Sequence, residues 1–336
     1  MATWCVHAMA GALAALLAIA DPFSFLAPQV VLTPSERRRL QEGGSVAKTL
    51  RAGEGQVASL SIARVEASPD ALFGAVRNIE ELNRSSLVTG IRRFSEPPTI
   101  GDLDALQLGP RDLAAAAACQ PGACSFKLTA EEIAILRRAG SGANRDDALQ
   151  RAFRQVVLAR VNAYLAKGLP GLAPTANRPK ATCFNDVFTQ LTAVSPVLPD
   201  VPCASAWLHE FPNTNERVES FLYWAQEDYG TGKPVVAVTH VGIFPPASPG
   251  DPAIVLGKQI MATRYMTGGV SLMALTAADA GGVRYLVYLN RTGLDSLGGF
   301  FGPLKRAAIE SRLRRALPDI LERLRGRLER QPVAAR

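Results

Sequence analysis

Short apolar runs separated by glycine pairs dominate the last third of the chain. Three runs rich in β-branched and aromatic residues, each bounded by Gly or Pro, predict β-strands at 221–226, 234–244 and 254–266. Two more runs begin at Val270 and Val283, each directly after a Gly-Gly pair. Because glycine adopts positive φ without strain, each pair favours a tight reversal between antiparallel neighbours. The pattern therefore predicts an antiparallel meander.

A long helix is predicted after the meander. Pro303 suits a first helical turn, and Pro318 is expected to kink the helix or restart it. Apolar residues recur at helical spacing along this segment: Leu313, Leu317, Ile320, Leu321, Leu324 and Leu328. Lysine and arginine dominate the remaining faces. The apolar stripe must pack on an apolar surface, and a long helix against a curved sheet encloses a cavity more readily than it makes a flat interface.

One strand and several helices are predicted upstream. Residues 57–65 alternate weakly and indicate a strand, and the Ser-Pro-Asp sequence from Ser68 marks a helix start directly after it. A strand so far ahead of the others is expected to return and join the later sheet. Residues 88–94 indicate a further strand, and residues 99–204 are predicted to be mostly helical.

This order of elements resembles the START-like helix-grip superfamily, which includes polyketide cyclases, dehydratases and lipid-transfer domains. The resemblance rests on residues 57–65 with the helix start at Ser68, on the runs within 221–290, and on the helix at 303–330. It implies an α+β fold in which a curved antiparallel sheet grips a long C-terminal helix. It also implies a cavity between the concave face of the sheet and that helix, with a hydrophobic ligand inside. Resemblance alone does not separate transport from catalysis.

The predicted domain organisation follows from this resemblance. Residues 1–20 form a leader, and residues 21–44 form an N-terminal extension with a short helix. Residues 45–98 and 205–330 form the START-like ligand-binding domain. Residues 99–204 are then a helical, disulfide-containing insertion that makes the chain longer than the compact family pattern.

The first 20 residues predict a secretory signal peptide. They contain no Lys, Arg, Asp or Glu, and their apolar run ends in the small-x-small sequence Ala18-Ile19-Ala20. The usual basic n-region is missing, and only the α-amino group and His7 stand in for it. The run is short for a membrane span and Pro22 interrupts its extension, which disfavours the alternative of an uncleaved anchor. We therefore expect a secreted or periplasmic protein.

Cysteine usage agrees with an oxidising compartment. Removing the leader with Cys5 leaves four cysteines, an even number. Nearest-neighbour pairing predicts the disulfides Cys119–Cys124 and Cys183–Cys203, and a Pro-Gly turn inside the first pair can bring its sulfurs together. A metal site is the competing interpretation, but the spacing is not CxxC. We expect disulfides, with no metal and no cofactor.

The chain is basic, with a formal net charge of +7 to which the leader contributes nothing. Outside the cytoplasm such a charge favours acidic partners, for example anionic lipid headgroups of a membrane or polyanionic envelope polymers. A solvated helix face is the simpler explanation of the same residues. Nucleic acid is disfavoured by the expected compartment and by the lack of a basic run interleaved with aromatic residues.

His240 is the first candidate for chemistry, because the mature chain has only two histidines. It shares a strand face with Val238 and Phe244 by two-residue alternation, and a histidine inside a cavity can bind or polarise a ligand carbonyl. Core packing is the alternative. Arg264 is expected to meet a ligand carboxylate or phosphate, with a salt bridge on the outer face as the alternative.

An apolar lining and a lid complete the predicted site. The predicted lining consists of Trp224, Phe244, Met261, Met273 and Tyr288, although ordinary core packing explains these residues too. Phe300 and Phe301 lie in a glycine-rich loop that is predicted to act as a lid, with a plain connector as the alternative. Glu227 and Asp228 follow each other at a strand end and point apart, so they are assigned to a turn.

These features predict an exported protein that binds or transfers a hydrophobic, lipid-like molecule. A cyclase, dehydratase or hydrolase acting on a hydrophobic substrate through His240 is the second hypothesis. A structural envelope protein whose basic helix docks a partner chain is the third. The sequence contains no Ser/His/Asp spacing that favours nucleophilic catalysis.

Overall fold

The computed structural model describes nine ranges of the chain. They are residues 21–28, 30–142, 144–193, 202–213, 218–230, 232–248, 250–279, 281–297 and 302–330. The predicted leader and the predicted lid residues Phe300 and Phe301 lie outside these ranges.

Eight antiparallel strands form one curved sheet within the described ranges. They are β1 (Ser45–Leu50), β2 (Gln56–Val65), β3 (Val88–Arg93), β4 (Glu219–Glu227), β5 (Val235–Phe244), β6 (Ala253–Ala262), β7 (Met266–Leu275) and β8 (Arg284–Leu294). Their order is β1-β2-β8-β7-β6-β5-β4-β3. Strands β4 to β8 are the predicted meander, and β2 returns to pair with β8 as expected.

Side chains of Thr33, Ser68 and Thr129 cap the helices that follow them. The helices of the described ranges are α1 (Pro34–Gln41), α2 (Pro69–Arg77), α3 (Ile79–Leu82), α4 (Pro110–Ala117), α5 (Ala130–Ala139), α6 (Arg145–Lys167), α7 (Phe184–Thr192), α8 (Pro202–Glu210) and α9 (Gly302–Glu329). Ser68 Oγ accepts the backbone N–H of Ala71 at the start of α2, as the Ser-Pro-Asp sequence predicts. Helix α9 continues through Pro318, so the predicted restart at this proline is wrong. Leu317 and Leu321, on either side of it, are both buried, and this packing holds the helix together.

Different helices cover the two faces of the sheet. Helix α9 packs on one face with α2 and α3, where Leu321 and Leu328 share a core with Phe73, Ile243 and Leu286. We call this side the α9 face. The helices between β3 and β4 cover the opposite side, which we call the α6 face after the longest of them. Side chains alternate between the two faces along each strand.

The fold class is therefore α+β, with a curved antiparallel sheet gripping a long C-terminal helix. The helices of residues 99–204 share one continuous core with the α6 face of the sheet. Within the described ranges, no helix combines the length and the hydropathy of a segment that crosses a bilayer.

Among the described cysteines, two form a bridge. Cys119 and Cys124 are bonded, with their Cα atoms 4.5 Å apart. Cys183 is a free thiol at the N-cap of α7, so the predicted Cys183–Cys203 bridge is not formed. The side chain of Cys203 and the segment 194–201 that leads to it lie outside the described residues.

Candidate functional site

The middle of the α9 face keeps contact with solvent, whereas the α6 face of the same strands is buried. The half-buried side chains in the middle of β4 to β8 all belong to the α9 face: Tyr223, Thr239, Gln259, Ser271, Met273, Tyr288, Asn290 and Thr292. Most of them are polar. These side chains form a partly polar, half-buried strip on the side of the sheet that α9 covers; we call the space along this strip the cleft and the strip its floor.

Strand register arranges these side chains in rows across the sheet. One row joins partners on β4, β5 and β6: Tyr223, Thr239 and Gln259. Two more rows join β7, β8 and β2: Ser271 with Asn290 and Ser59, and Met273 with Tyr288 and Ser61. Because residues that face each other across antiparallel strands lie on one side of the sheet, each row forms a continuous strip of the cleft floor.

Three phenols and one carboxylate converge at the β4 end of the cleft. Tyr229, which is 43% exposed, donates a hydrogen bond to Glu227. Burial raises the pKa of Tyr223 to about 12, and burial also raises the pKa of Tyr288. The Glu227 charge adds to the rise in both. We call these four residues the phenol cluster.

The phenol cluster also shows how strongly the sheet curves. Three strands separate β8 from β4, which corresponds to about 19 Å in a flat sheet. Tyr288 on β8 nevertheless contributes to the raised pKa of Tyr223 on β4. This contribution agrees with the curvature of the sheet.

Several polar groups on the cleft floor are available for hydrogen bonds. Asn290 Nδ2 donates to the Tyr288 hydroxyl at 3.3 Å. The buried atoms Ser61 Oγ and Gln259 Oε1 have no hydrogen-bond partner among the described residues. Buried polar atoms are normally paired, so both groups can take part in a further hydrogen bond. The surrounding walls are apolar: Phe73, Leu82, Phe221, Leu275, Leu286 and Leu321.

Two of the predicted lining residues lie on the cleft floor, and five other predicted site residues do not. Met273 and Tyr288 occupy the α9 face. Five lie against the helices of the α6 face: Trp224, His240, Phe244, Met261 and Arg264. These five were predicted wrongly because two-residue alternation shows which residues share a face of the sheet. It does not show which helices cover that face.

His240 is a packed core residue. Its side chain is 1% exposed, and its Nδ1 lies 2.8 Å from the Tyr164 hydroxyl of α6. The rings of Trp207 and Phe211 lie with their centroids 4.6 Å from the imidazole. Burial, followed by the charge of Lys258, holds the pKa of His240 well below its usual value. The prediction that His240 faces the cleft beneath α9 is wrong.

Lys258 is a site residue that the sequence analysis missed. It is directly opposite His240 on β6 and is fully buried. Its Nζ donates to the backbone oxygen of Leu208 at 2.8 Å, in the last turn of α8. Four aromatic rings, those of Tyr164, Phe188, Trp207 and Phe211, lie with their centroids 5.0 to 5.8 Å from Nζ. Burial lowers its pKa to about 7. A lysine within an apolar alternating strand gives no signal of these aromatic neighbours, which come from distant helices.

Arg264 and Trp224 anchor the insertion to the sheet. Arg264 is 4% exposed, pairs with Asp112 of α4 at 2.8 Å, and lies over the ring of Phe126 at 4.0 Å. It follows the end of β6, so the predicted strand alternation does not extend to it. Arg264 therefore forms a salt bridge, which was the alternative prediction, but the bridge is buried and does not lie on an outer surface. Trp224 Nε1 donates to the backbone oxygen of Asp102 at 2.8 Å.

Glu227 and Asp228 have different roles. Asp228 accepts the backbone N–H of Gly230 at 2.9 Å, as expected of a turn residue. Glu227 instead joins the phenol cluster. The described residues contain no group of three His, Cys, Asp or Glu side chains that could hold a metal ion.

Fold and site define an α+β helix-grip protein with a partly polar cleft between the sheet and the C-terminal helix. No protein-family model matches the chain, and no curated protein matches it. A solved structure that does match is the Zhui aromatase/cyclase from Streptomyces sp. R1128, with 17% sequence identity and a TM-score of 0.26. The match covers 45% of this chain and 89% of the aromatase/cyclase chain. A similarity this low carries no argument about function, and the fold class rests on the strand order and α9.

Proposed function

We propose that the protein binds a hydrophobic small molecule carrying oxygen or nitrogen groups, in the cleft between the α9 face and α9. The observation that carries the proposal is the accessible polar floor within apolar walls. Its atoms Ser61 Oγ and Gln259 Oε1 lack partners among the described residues. A ligand with matching polar groups would satisfy both atoms while burying its apolar surface against the walls.

The phenol cluster supports one orientation of such a ligand. A phenol with an ordinary pKa near 10 keeps its proton at neutral pH, and burial raises the pKa values of Tyr223 and Tyr288 further, so both can donate hydrogen bonds. Carbonyl or hydroxyl oxygens of the ligand are therefore expected at the β4 end of the cleft.

Native mass spectrometry followed by organic extraction tests this proposal. Purified protein should carry a co-purifying apolar molecule with oxygen or nitrogen groups. Tyr288→Phe should weaken rebinding of that molecule roughly fivefold, because one hydrogen bond contributes about 1 kcal/mol. Tyr285→Phe is the matched control, since Tyr285 lies on the same strand and faces the α6 side. A protein that is always empty and ignores panels of lipids, sterols and polycyclic aromatics would refute the proposal.

An enzyme acting in the same cleft is the second candidate, and the contact between Glu227 and Tyr229 favours it. A carboxylate beside protonated phenols can accept a proton from a bound molecule while a phenol stabilises the developing oxyanion. His240 is too deeply buried on the other face for this role. Loss of turnover in Glu227→Gln with ligand binding retained would support catalysis. If the unaltered protein binds the ligand but does not convert it, the protein is a carrier and not an enzyme.

Export is part of the proposal. Its support is the leader pattern together with the bonded pair Cys119 and Cys124. Transfer of a lipid between membranes is the finer form of the same proposal. Expression in a bacterial host with a secretion pathway, followed by intact mass measurement, should show a chain beginning near Asp21; a full-length product inside the cell contradicts export.

A further inference from the structure

Helix α9 carries a basic surface that is separate from the proposed ligand site. The N-terminal half of α9, residues 303–316, has four exposed basic side chains: Lys305, Arg312, Arg314 and Arg315. Its single acidic residue, Glu310, is half-buried. The exposed carboxylates of the helix, Asp319, Glu322 and Glu329, all follow Pro318. Positive charge is thus concentrated at one end of the helix.

Helical geometry places Lys305, Arg312 and Arg315 on the face that points away from the sheet, whereas Arg314 lies across the helix and donates to Thr49 of β1. Lys305 and Arg312 are seven residues apart and lie in one row along the helix. Leu304, Ala308 and Arg315 form a neighbouring row. Arg306 shows where the inner face lies, because it donates to the backbone oxygens of Ala52 and Gly53 in the β1–β2 turn.

An exposed leucine lies within this basic surface. Leu304 is 71% exposed, more than any other large hydrophobic residue described. Its neighbours Pro303, Ala307 and Ala308 are also exposed and apolar. Leu304 begins a helix face that carries Lys305 beside it and Arg312 and Arg315 further along. An apolar residue on a basic face matches the two layers of a lipid surface, where an apolar side chain enters the acyl boundary and cations meet anionic headgroups.

We propose that the N-terminal half of α9 docks onto an anionic lipid membrane, with Lys305, Arg312 and Arg315 facing the headgroups and Leu304 inserted between them. The contact is peripheral. It would place the C-terminal helix, one wall of the cleft, at the membrane surface. This surface needs no occupant in the cleft, so its test is independent of the proposed ligand.

Co-sedimentation of the purified full chain with vesicles measures this contact. Phosphatidylcholine vesicles containing phosphatidylglycerol should bind the protein, and pure phosphatidylcholine vesicles should not. The triple change Lys305→Gln, Arg312→Gln and Arg315→Gln should weaken binding roughly a hundredfold, since each cation near such a surface contributes about 1 kcal/mol. Higher salt should weaken binding of the unaltered protein as well.

The matched control removes the same charge from the other side of the sheet. Arg137, Arg138 and Arg145 are exposed on α5 and α6, and their change to Gln gives the same net charge. This control should bind vesicles normally. Equal losses in both triple variants would overturn the proposal, because they would show general charge attraction.

A single-residue variant tests the apolar part of the surface. Leu304→Ser should weaken vesicle binding severalfold, whereas Leu87→Ser, which changes a leucine that is 47% exposed elsewhere, should not. Unchanged unfolding temperatures confirm that all variants are folded. The proposal is overturned if the unaltered protein fails to bind anionic vesicles. Binding to heparin, a soluble polyanion, without binding to these vesicles overturns it as well.

Discussion

Lys258 is the most unusual residue of the α6 face, because it is fully buried and its described hydrogen-bond acceptors are the neutral backbone oxygens of Trp207 and Leu208. A lysine in such a place links β6 to the C-terminal end of α8, where the carbonyl groups carry partial negative charge. The surrounding aromatic rings add cation–π attraction. Burial opposes the charge, and the lowered pKa shows that burial wins.

We expect the buried lysine to make stability depend on pH. Its pKa is about 7 in the folded chain and near 10.5 in the unfolded chain. Between these values the unfolded chain holds a proton that the folded chain has released, so stability rises as pH increases from about 7 to 10. The rise is at most about 5 kcal/mol.

Urea unfolding of the unaltered protein and of Lys258→Met checks this expectation. The unaltered protein should gain stability relative to Lys258→Met as the pH rises through this window. Lys180→Met, at an exposed position, should show no such pH-dependent difference. If the difference in unfolding free energy between the unaltered protein and Lys258→Met were the same at every pH, Lys258 would keep its proton on folding. That result would contradict the expectation.

At the scale of elements, few residues of α9 are buried against the sheet. One substitution can therefore measure how much this packing stabilises the fold. Leu321 is 1% exposed and packs with the sheet core, while Leu304 on the same helix is 71% exposed. Leu321→Ala should lower the free energy of unfolding by about 2–5 kcal/mol, because it leaves a cavity in the core. Leu304→Ala should change it by less than about 0.5 kcal/mol. Chemical denaturation measures both; equal, small effects would show that α9 does not grip the sheet.

The sequence predicts the elements better than it predicts their surroundings. The meander and α9 have strong periodicity, so their positions follow from the printed sequence. Strand β1 was not predicted, because the residues from Ser45 to Leu50 are mostly half-buried and carry no clean alternation. The bounds of α7 and the helix α8 did not follow from the sequence, because each is only nine residues long. Each miss occurs where tertiary packing, and not local preference, selects the structure.

The candidate site was harder to predict than the fold for a specific reason. Tyr223, Glu227 and Tyr288 come together only because the sheet curves, and curvature has no signal in a strand pattern. Glu227 was assigned to a turn because adjacent strand residues point apart, yet this same rule places it with Tyr223 on the α9 face. His240 looked like a site residue because histidine is rare here, and rarity does not distinguish a cleft from a core.

On the scale of the whole molecule, the insertion and the sheet share their core, which decides how the chain should unfold. Val157 of α6 and Leu289 of β8 belong to one buried cluster, with sheet residues on one side and insertion helices on the other. Neither part can bury its apolar surface without the other. We therefore expect cooperative unfolding of sheet and insertion, in contrast to the separate transitions of independent domains.

Both tryptophans outside the leader report on this shared core. Both are buried on the α6 face, Trp207 on α8 and Trp224 on β4. Val157→Ala should lower the stability by about 1–3 kcal/mol, because it removes packing between α6 and the sheet. Unfolding followed by tryptophan fluorescence and by far-ultraviolet circular dichroism should shift together to the same lower midpoint. Separate midpoints for the two signals would show that the chain does not unfold as one cooperative unit, and the insertion would then be a domain that folds independently.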